Sequence, residues 1–175
     1  ISNVPFLENR GVRRNKPLPH IKTLHDFYFV HALDKVKDNG LVVFITSTGT
    51  MDKLDDSVRQ EIVAKADIIG AFRLPGGHFA ANAHTDVTTD IIFMQKRPAG
   101  AVPSEQQAVD NQAFVESKKD EKDLQINSYY KVHPEHILGE LVEGKNKLYS
   151  SRPAYEVRGE ADLSKINIQY HPYGK

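Results

Sequence analysis

The segment that most constrains the fold is a short, uninterrupted apolar run, Leu41-Val-Val-Phe-Ile-Thr46, which directly follows Asn39-Gly40. Its β-branched residues and its lack of polar alternation are typical of a strand buried on both faces, as in a parallel sheet. Before it, apolar residues recur at helical spacing from Leu24 to about Lys37, and Thr23 lies where a helix N-cap is expected. A helix that leads into a doubly buried strand predicts a layered α/β fold.

The same alternation continues downstream. A second helix is predicted from about Asp55 to Lys65, a second strand over Ala66–Leu74 and a third over Thr88–Gln95. Residues 75–87 begin with Pro75-Gly76-Gly77 and show no helical pattern, so the third strand is expected to return antiparallel rather than through a crossover. The predicted fold class is therefore α/β, with parallel strands and a final antiparallel strand.

The predicted organisation has three parts, residues 1–97, residues 98–123 and residues 124–175. The middle part is rich in Pro, Gly and charged residues and holds little apolar content, which is typical of a linker or surface loop. In the tail, a short helix is predicted near Pro134, with short strands at 147–150 and 154–158. We expect the tail to form a small α+β appendage.

Composition excludes several classes of protein. The 23 Lys and Arg residues balance the 23 Asp and Glu residues, so only a local basic run could attract nucleic acid. The absence of cysteine excludes a disulfide framework and fits a reducing, cytoplasmic environment. No apolar run reaches the roughly 20 residues that span a bilayer, so no membrane partner is expected. His133 and His136 lie three apart without the carboxylate pattern of a metal-binding helix, and no metal site is predicted.

The first six residues, Ile1-Ser2-Asn3-Val4-Pro5-Phe6, form a motif that could bind a nucleic-acid base. The Asn side chain and the next carbonyl can accept hydrogen bonds from an exocyclic amine, and the aromatic ring can stack on the face of a base. The alternative interpretation is an ordinary turn at a strand end, with Phe6 in the core.

Further blocks extend this motif: Leu24–Leu33, Gly40–Ser47, Ile69–Pro75, Thr85-Asp86-Val87 and Thr89–Arg97. In this order they resemble class I S-adenosylmethionine-dependent DNA methyltransferases of the adenine-N6 group, which carry an Asn-Pro-Pro-Phe/Tyr motif. The resemblance is to the helicase-linked methylases of bacterial phages and other mobile elements, and it covers about residues 1–97. It implies the second half of a Rossmann-like class I methyltransferase sheet, with the motif at the end of the fourth of seven strands.

The resemblance also implies roles for the motif. Asn3 and the Val4 carbonyl would receive the amino group of a flipped adenine and Phe6 would stack on it, so Asn3, Val4, Pro5 and Phe6 are the implied catalytic residues. Val4 stands where the family has Pro, which makes the turn less rigid because only Pro fixes φ. The glycine-rich site for S-adenosylmethionine would lie upstream of Ile1, and Gly76-Gly77 lacks the context to replace it. The cofactor is therefore expected of a longer protein, and this part alone is expected to be inactive.

Cations near the motif are the predicted DNA contacts: Arg10, Arg13, Arg14, Lys16, Arg73 and His78. The first four belong to a basic loop that could neutralise phosphates, and a solvated surface loop is the alternative. Arg73 and His78 flank the break after the second strand, on the substrate side of the family's sheet. Asp86 and Asp90 show no spacing for acid–base work and are interpreted as caps or turn acids.

Three functions stay open at this point. The first is part of an adenine-N6 DNA methyltransferase, the second a non-catalytic methylase-like module that binds DNA or protein, and the third an unrelated α/β domain such as a nucleotide-binding regulator. The first requires an antiparallel strand at 88–96 inserted beside the strand at 41–46, whereas an all-parallel sheet contradicts it. DNA and an upstream half of the same polypeptide are the expected partners, and an open sheet edge could also allow self-association.

Overall fold

The computed structural model describes residues 1–4, 23–77, 87–145 and 152–174. The strands within these ranges are β1 (Ser2–Asn3), β2 (Leu41–Ser47), β3 (Ala66–Leu74), β4 (Thr89–Lys96), β5 (Ser117–Lys119), β6 (Gln125–Asn127), β7 (Glu140–Lys145) and β8 (Pro153–Arg158). The α-helices are α1 (Leu24–Lys35), α2 (Gly49–Asp52), α3 (Ser57–Lys65), α4 (Glu105–Val115) and α5 (Tyr129–Val132). Two 3-10 turns cover Pro134–His136 and Leu163–Lys165.

The central sheet has four strands in the order β1-β2-β4-β3. β1 pairs parallel with β2, and β4 lies between β2 and β3 and is antiparallel to both. Ile92 of β4, for example, stands opposite Phe44 of β2 and Ala71 of β3. The predicted mixed α/β fold is therefore confirmed, with the antiparallel strand inserted beside the strand at 41–46, and an all-parallel sheet is ruled out.

Helix α1 begins where the sequence predicts. The Thr23 hydroxyl oxygen accepts a hydrogen bond from the Asp26 backbone N–H at 3.3 Å, which is an N-cap contact. The Asp26 carboxylate does not close a capping box, since it is buried and accepts two hydrogen bonds from Lys53 Nζ at 2.7 and 2.8 Å. The helix ends at Lys35, two residues before the predicted end, and the chain then reverses at Asn39, whose φ of 62° lies in the left-handed region.

The two faces of the sheet are covered by different parts of the chain. On one face, Phe29 and Leu33 of α1 and Ile62 of α3 are fully buried, and the rings of Phe29 and Phe44 meet edge to face at 4.9 Å. On the other face, Phe72 and neighbouring apolar side chains pack against residues of the tail around Ile168. The sheet is thus the middle layer, with helices on one side and tail residues on the other.

The stretch 98–123 differs from the expected linker or surface loop, because it contains α4. Ser104 caps this helix, and Phe114 is fully buried in the core. Two polar side chains of α4 also serve the sheet: Asn111 Oδ1 accepts from the Ile68 N–H at 2.9 Å, and Gln107 Nε2 donates to the Ile68 carbonyl at 2.7 Å. These contacts satisfy the backbone of β3 where its register with β4 shifts. Because polar side chains make part of the contacts of α4, this helix shows only a weak apolar pattern in the sequence.

After α4, the chain forms two antiparallel hairpins, β5–β6 and β7–β8, of which the second lies wholly in the tail. Strand β8 agrees with the strand predicted at 154–158, whereas residues 147–150 lie outside the described residues. Tyr129 and Tyr130 of α5 belong to the same hydrophobic cluster as the sheet residues Phe44 and Ile92. Within the described ranges, no helix has the length and apolar character needed to cross a membrane.

We predict that Phe114→Ala destabilises the protein by roughly 3–5 kcal/mol, because it empties a fully buried aromatic site. Urea denaturation followed by circular dichroism measures this free energy of unfolding. The matched control is Val109→Ala in the same helix, where the side chain is 52% exposed, with an expected change within about 0.5 kcal/mol. Similar small changes for both variants would mean that α4 does not anchor on the core.

Candidate functional site

The candidate site is the edge of the sheet where parallel strands end. β1, β2 and β3 run in one direction, and β4 starts at the edge where they finish. In open α/β sheets, ligands bind outside the carboxyl ends of the strands. Asn3 ends β1, Ser47 ends β2 and Thr89 begins β4 at this edge.

Asn3 has a fixed backbone and an exposed side chain. Its Cα partner in β2 is Ile45, and the next N–H, that of Val4, donates to the Ile45 carbonyl at 3.0 Å. The Val4 side chain is buried in the core, and this packing restrains the backbone next to Asn3. Within the part of the chain that the structure describes, the Asn3 amide makes no side-chain hydrogen bond. An amide in this setting can donate to or accept from a ligand outside the edge.

Ser47 and Thr89 add two polar groups that the sequence analysis did not connect. They are Cα partners in the β2–β4 ladder, and they share the sheet face of Ile45 and therefore of Asn3. Both are almost fully buried, and neither hydroxyl oxygen has a hydrogen-bond partner among the described residues. A buried hydroxyl without a partner costs about 1–3 kcal/mol, so each is a site where a further polar group would be stabilising.

A cleft of about 500 Å³ opens beside the turn that follows β2. Thr48 and Gly49 of that turn line it, together with the cationic side chains of Lys53, Lys119, Lys122 and Arg152. The carboxylates of Asp52 and Asp123 also lie in its wall, and Lys119 pairs with Asp123 at 2.7 Å. Arg152 forms no ion pair with any described residue. Lys53 also pairs with Asp26 and Lys122 with Glu143, so Arg152 is the cation of this cleft that, among the described residues, is left to meet an anionic ligand.

Arg73 does not lie where a DNA contact requires it, and this prediction is corrected. Its side chain is fully buried on the helix-covered face, and all three guanidinium nitrogens are engaged. Nε and Nη2 donate to Asp90 at 2.8 and 2.9 Å, while Nη1 and Nη2 donate to Asp52, both at 2.9 Å. The guanidinium therefore makes its hydrogen bonds inside the protein and cannot contact a phosphate.

Asp90 is likewise not a cap or turn acid but the strand partner of Arg73. The two are directly opposite each other in the β3–β4 ladder, and Asp90 also accepts from the Tyr130 hydroxyl at 2.7 Å. Burial alone would lower the pKa of Arg73, but the charges of Asp52 and Asp90 hold it well above its ordinary value. Burial, together with the charge of Asp90, raises the pKa of Tyr130 well above 10. Arg73 thus stays charged and Tyr130 stays a hydrogen-bond donor across the physiological range.

The other predicted site residues lie outside the described residues: Pro5, Phe6, Arg10, Arg13, Arg14, Lys16 and His78. Asn3 and Val4 are thus the described part of the motif. Ser47 and Thr89 could be found only once the register of β2 with β4 was known, because 42 positions separate them in the sequence.

Asp90→Asn is predicted to destabilise the protein by roughly 3 kcal/mol, because it removes one charge from a fully buried ion pair and leaves part of the Arg73 charge uncompensated. The control is Asp34→Asn, which removes the partner of Lys65 in a pair whose carboxylate is 50% exposed. That change should cost at most about 1 kcal/mol. Urea denaturation measures both, and equal losses would contradict the structural role assigned to Asp90.

Comparison with known proteins gives one partial similarity. No protein-family model matches the chain. A curated protein, Defense against restriction protein B of Escherichia phage P1, is 31% identical to it over 101 residues. The matched region covers 57% of this chain and 4% of the phage protein, so the chain spans a small part of that relative's length. The chain is therefore similar to one segment of a phage protein named for defence against restriction.

Proposed function

We propose that this chain forms the base-binding part of an adenine-N6 DNA methyltransferase, which holds a flipped adenine while its amine is methylated. The observation that carries the proposal is the position of Asn3. Its exposed side chain, whose amide makes no hydrogen bond to a described residue, lies at the carboxyl end of β1, and the hydrogen bond from Val4 N–H to the Ile45 carbonyl fixes the backbone beside it. The inserted antiparallel strand β4 is the strand arrangement that this function requires.

The chemistry explains why an amide and a carbonyl suffice. A base inside a duplex must be extruded before an enzyme can reach its atoms, at a cost of a few kcal/mol. The Asn3 side-chain oxygen and the Val4 carbonyl then accept the two amine hydrogens, which directs the nitrogen lone pair at the methyl donor. Phe6 would stack on the base.

The methyl donor in this proposal is S-adenosylmethionine, which supplies an electrophilic methyl group when bound. Such sites use a glycine-rich turn between a strand and a helix. The described residues contain three junctions from a strand to an α-helix, namely β2 to α2, β4 to α4 and β6 to α5, and none of them holds more than one glycine. We therefore assign no residue of this chain to the cofactor and place its site in another part of the polypeptide.

DNA binding in this proposal draws on the edge and its cleft. The cationic cleft beside Thr48 and Gly49 supplies phosphate contacts that the buried Arg73 cannot make. Ser47 and Thr89 offer hydroxyl groups on the same sheet face as Asn3. The cations of the basic loop and one histidine are proposed to add further contacts: Arg10, Arg13, Arg14, Lys16 and His78.

A second candidate function is a non-catalytic methylase-like module that binds DNA or a protein. Two observations favour it, namely Val4 in place of the family's Pro and the similarity to a phage protein named for defence against restriction. A module of this kind would keep the base-binding edge and transfer no methyl group.

The role of Asn3 can be tested with this chain and short single strands of DNA. One probe is an oligothymidylate with a single central adenine, and the other carries purine, which lacks the amine, at that position. We expect roughly tenfold tighter binding of the adenine probe, because two neutral hydrogen bonds each contribute about 0.5–1.5 kcal/mol. Asn3→Ala should reduce this preference to roughly threefold. Fluorescence anisotropy measures all four affinities.

Ser2→Ala is the matched control, since Ser2 is an equally exposed neighbour whose side chain points to the other face of β1. It should keep the preference for adenine over purine. An unchanged preference in Asn3→Ala would remove Asn3 from base recognition and with it the proposed function.

Methyl transfer distinguishes the enzyme from the module. A polypeptide that carries this sequence together with a S-adenosylmethionine site should label duplex DNA from radioactive cofactor, and Asn3→Ala should lower the rate about 100-fold or more. Calorimetry with the 175 residues alone should detect no micromolar binding of the cofactor. DNA binding without transfer, by a polypeptide that does bind the cofactor, would favour the module.

A further inference from the structure

A cluster of two histidines and a glutamate lies beside β3, the outer strand on the other side of the sheet from β1 and Asn3. The turn Pro134–His136 follows α5, and the next residues run beside β3, where the Leu138 N–H donates to the Arg73 carbonyl at 2.8 Å. We propose that His133, Glu135 and His136 bind a divalent transition-metal ion, with Zn²⁺ as the best match. One ligand atom from each of the three lies within 4.8 Å of the other two.

The inner atoms of the cluster converge on one carboxylate oxygen. Glu135 Oε1 is 3.3 Å from His133 Nδ1 and 3.5 Å from His136 Nε2. In a tetrahedral zinc site with bonds of about 2.1 Å, neighbouring ligand atoms are about 3.4 Å apart. The two distances to the carboxylate are therefore already those of a metal-bound set.

The outer ring nitrogens have their own acceptors. His133 Nε2 lies 2.7 Å from Asp110 Oδ1 on α4, and His136 Nδ1 lies 3.1 Å from the Ala71 carbonyl of β3. Histidines that bind metals nearly always donate their second N–H to a carboxylate or a carbonyl, which fixes the tautomer. When the outer nitrogens carry the protons, the inner nitrogens point lone pairs at the Glu135 carboxylate. In these tautomers three acceptors face one another, and a bound cation would satisfy all three.

Binding requires one rearrangement. The imidazole rings of His133 and His136 are stacked, 15° apart with centroids at 4.7 Å, whereas a metal ion lies in the plane of each ring that binds it. His136 also stacks on Phe72 at 4.3 Å and is held there, so the ring of His133 is the one that must turn. The side chains of His133 and Glu135 are 20% and 64% exposed, which leaves room for this movement and for a water molecule as fourth ligand.

The proposed site would link three elements that pack against one another. Its ligands follow α5, Asp110 belongs to α4, and Ala71 belongs to the edge strand β3. The role is structural, since a metal that binds the folded state alone stabilises it by mass action. The sequence analysis predicted no metal site here, because His133 and His136 lack the carboxylate pattern of a metal-binding helix, and the contact of His133 with Asp110, 23 residues earlier, is visible only in the fold.

The test uses the 175-residue chain without a histidine tag, titrated with Co²⁺ by visible absorption and with Zn²⁺ by calorimetry. We expect one equivalent, tetrahedral Co²⁺ bands and micromolar or tighter Zn²⁺ binding. At a hundredfold excess of Zn²⁺ over its Kd, the melting temperature should rise by roughly 5–10 °C. Glu135→Gln and His133→Asn should each weaken binding at least tenfold, and Asp110→Asn about 10–100-fold.

The matched control is His31→Asn, an exposed histidine on α1 that should leave the affinity unchanged. Glu135 is exposed, so its substitution tests the site even where a histidine variant folds poorly. The absence of saturable binding below 100 µM, or binding that Glu135→Gln and His133→Asn leave as tight as in the unsubstituted chain, would overturn the proposal.

Discussion

A charged guanidinium without any exposed surface stands at the centre of this fold. Moving such an ion out of water costs several kcal/mol even after relaxation, and only well-placed opposite charges can offset that cost. Arg73 receives these from Asp90 on the neighbouring strand and from Asp52 at the end of α2, and the ring of Tyr130 lies 4.5 Å from the guanidinium carbon. Because each partner comes from a different element, these elements have to assemble together.

The same network positions the candidate site. Arg73 and Asp90 lie near the edge where β3 ends and β4 begins, on the face opposite to Ser47 and Thr89. Asp52 also accepts the Asn127 N–H at 3.0 Å, which ties the second half of the chain to the turn after β2. Buried polar contacts of Arg73, Asp90 and Asp52 thus stabilise the strands at the edge where Asn3 lies. A precise binding site needs such support.

The sequence predicts those parts of the fold that depend on apolar patterns. The bounds of β3 agree with the prediction, and the antiparallel direction of β4 follows from the lack of a helical pattern after Leu74, whereas its insertion beside β2 is what the methyltransferase resemblance implies. What it misses are contacts between residues far apart in the chain. Arg73 reads as a surface cation until its register with Asp90 is known, and α4 reads as a linker because polar groups such as Asn111 hold it to β3.

For the candidate site, the sequence identifies the motif but not its surroundings. Asn3 is predicted from residue type and position alone, because the motif that suggests its proposed role is contiguous in the chain. The hydroxyls of Ser47 and Thr89 become neighbours only through strand pairing, and the cations of the cleft come from the residue after α2, the β5–β6 hairpin and the residue before β8. Long-range pairing is the information that a pattern of local spacing does not contain.

The structure shows which contacts Val4 makes at the position where the methyltransferase motif has Pro. Proline would fix φ at this position but would have no N–H to donate. Val4 does donate, to the Ile45 carbonyl at 3.0 Å, and its side chain is 2% exposed within the core. One hydrogen bond and a buried side chain can restrain the backbone beside Asn3 by other means than a closed ring. These contacts weaken the argument that Val4 gives for a non-catalytic module, and methyl transfer by a polypeptide that also carries an S-adenosylmethionine site decides between the two functions.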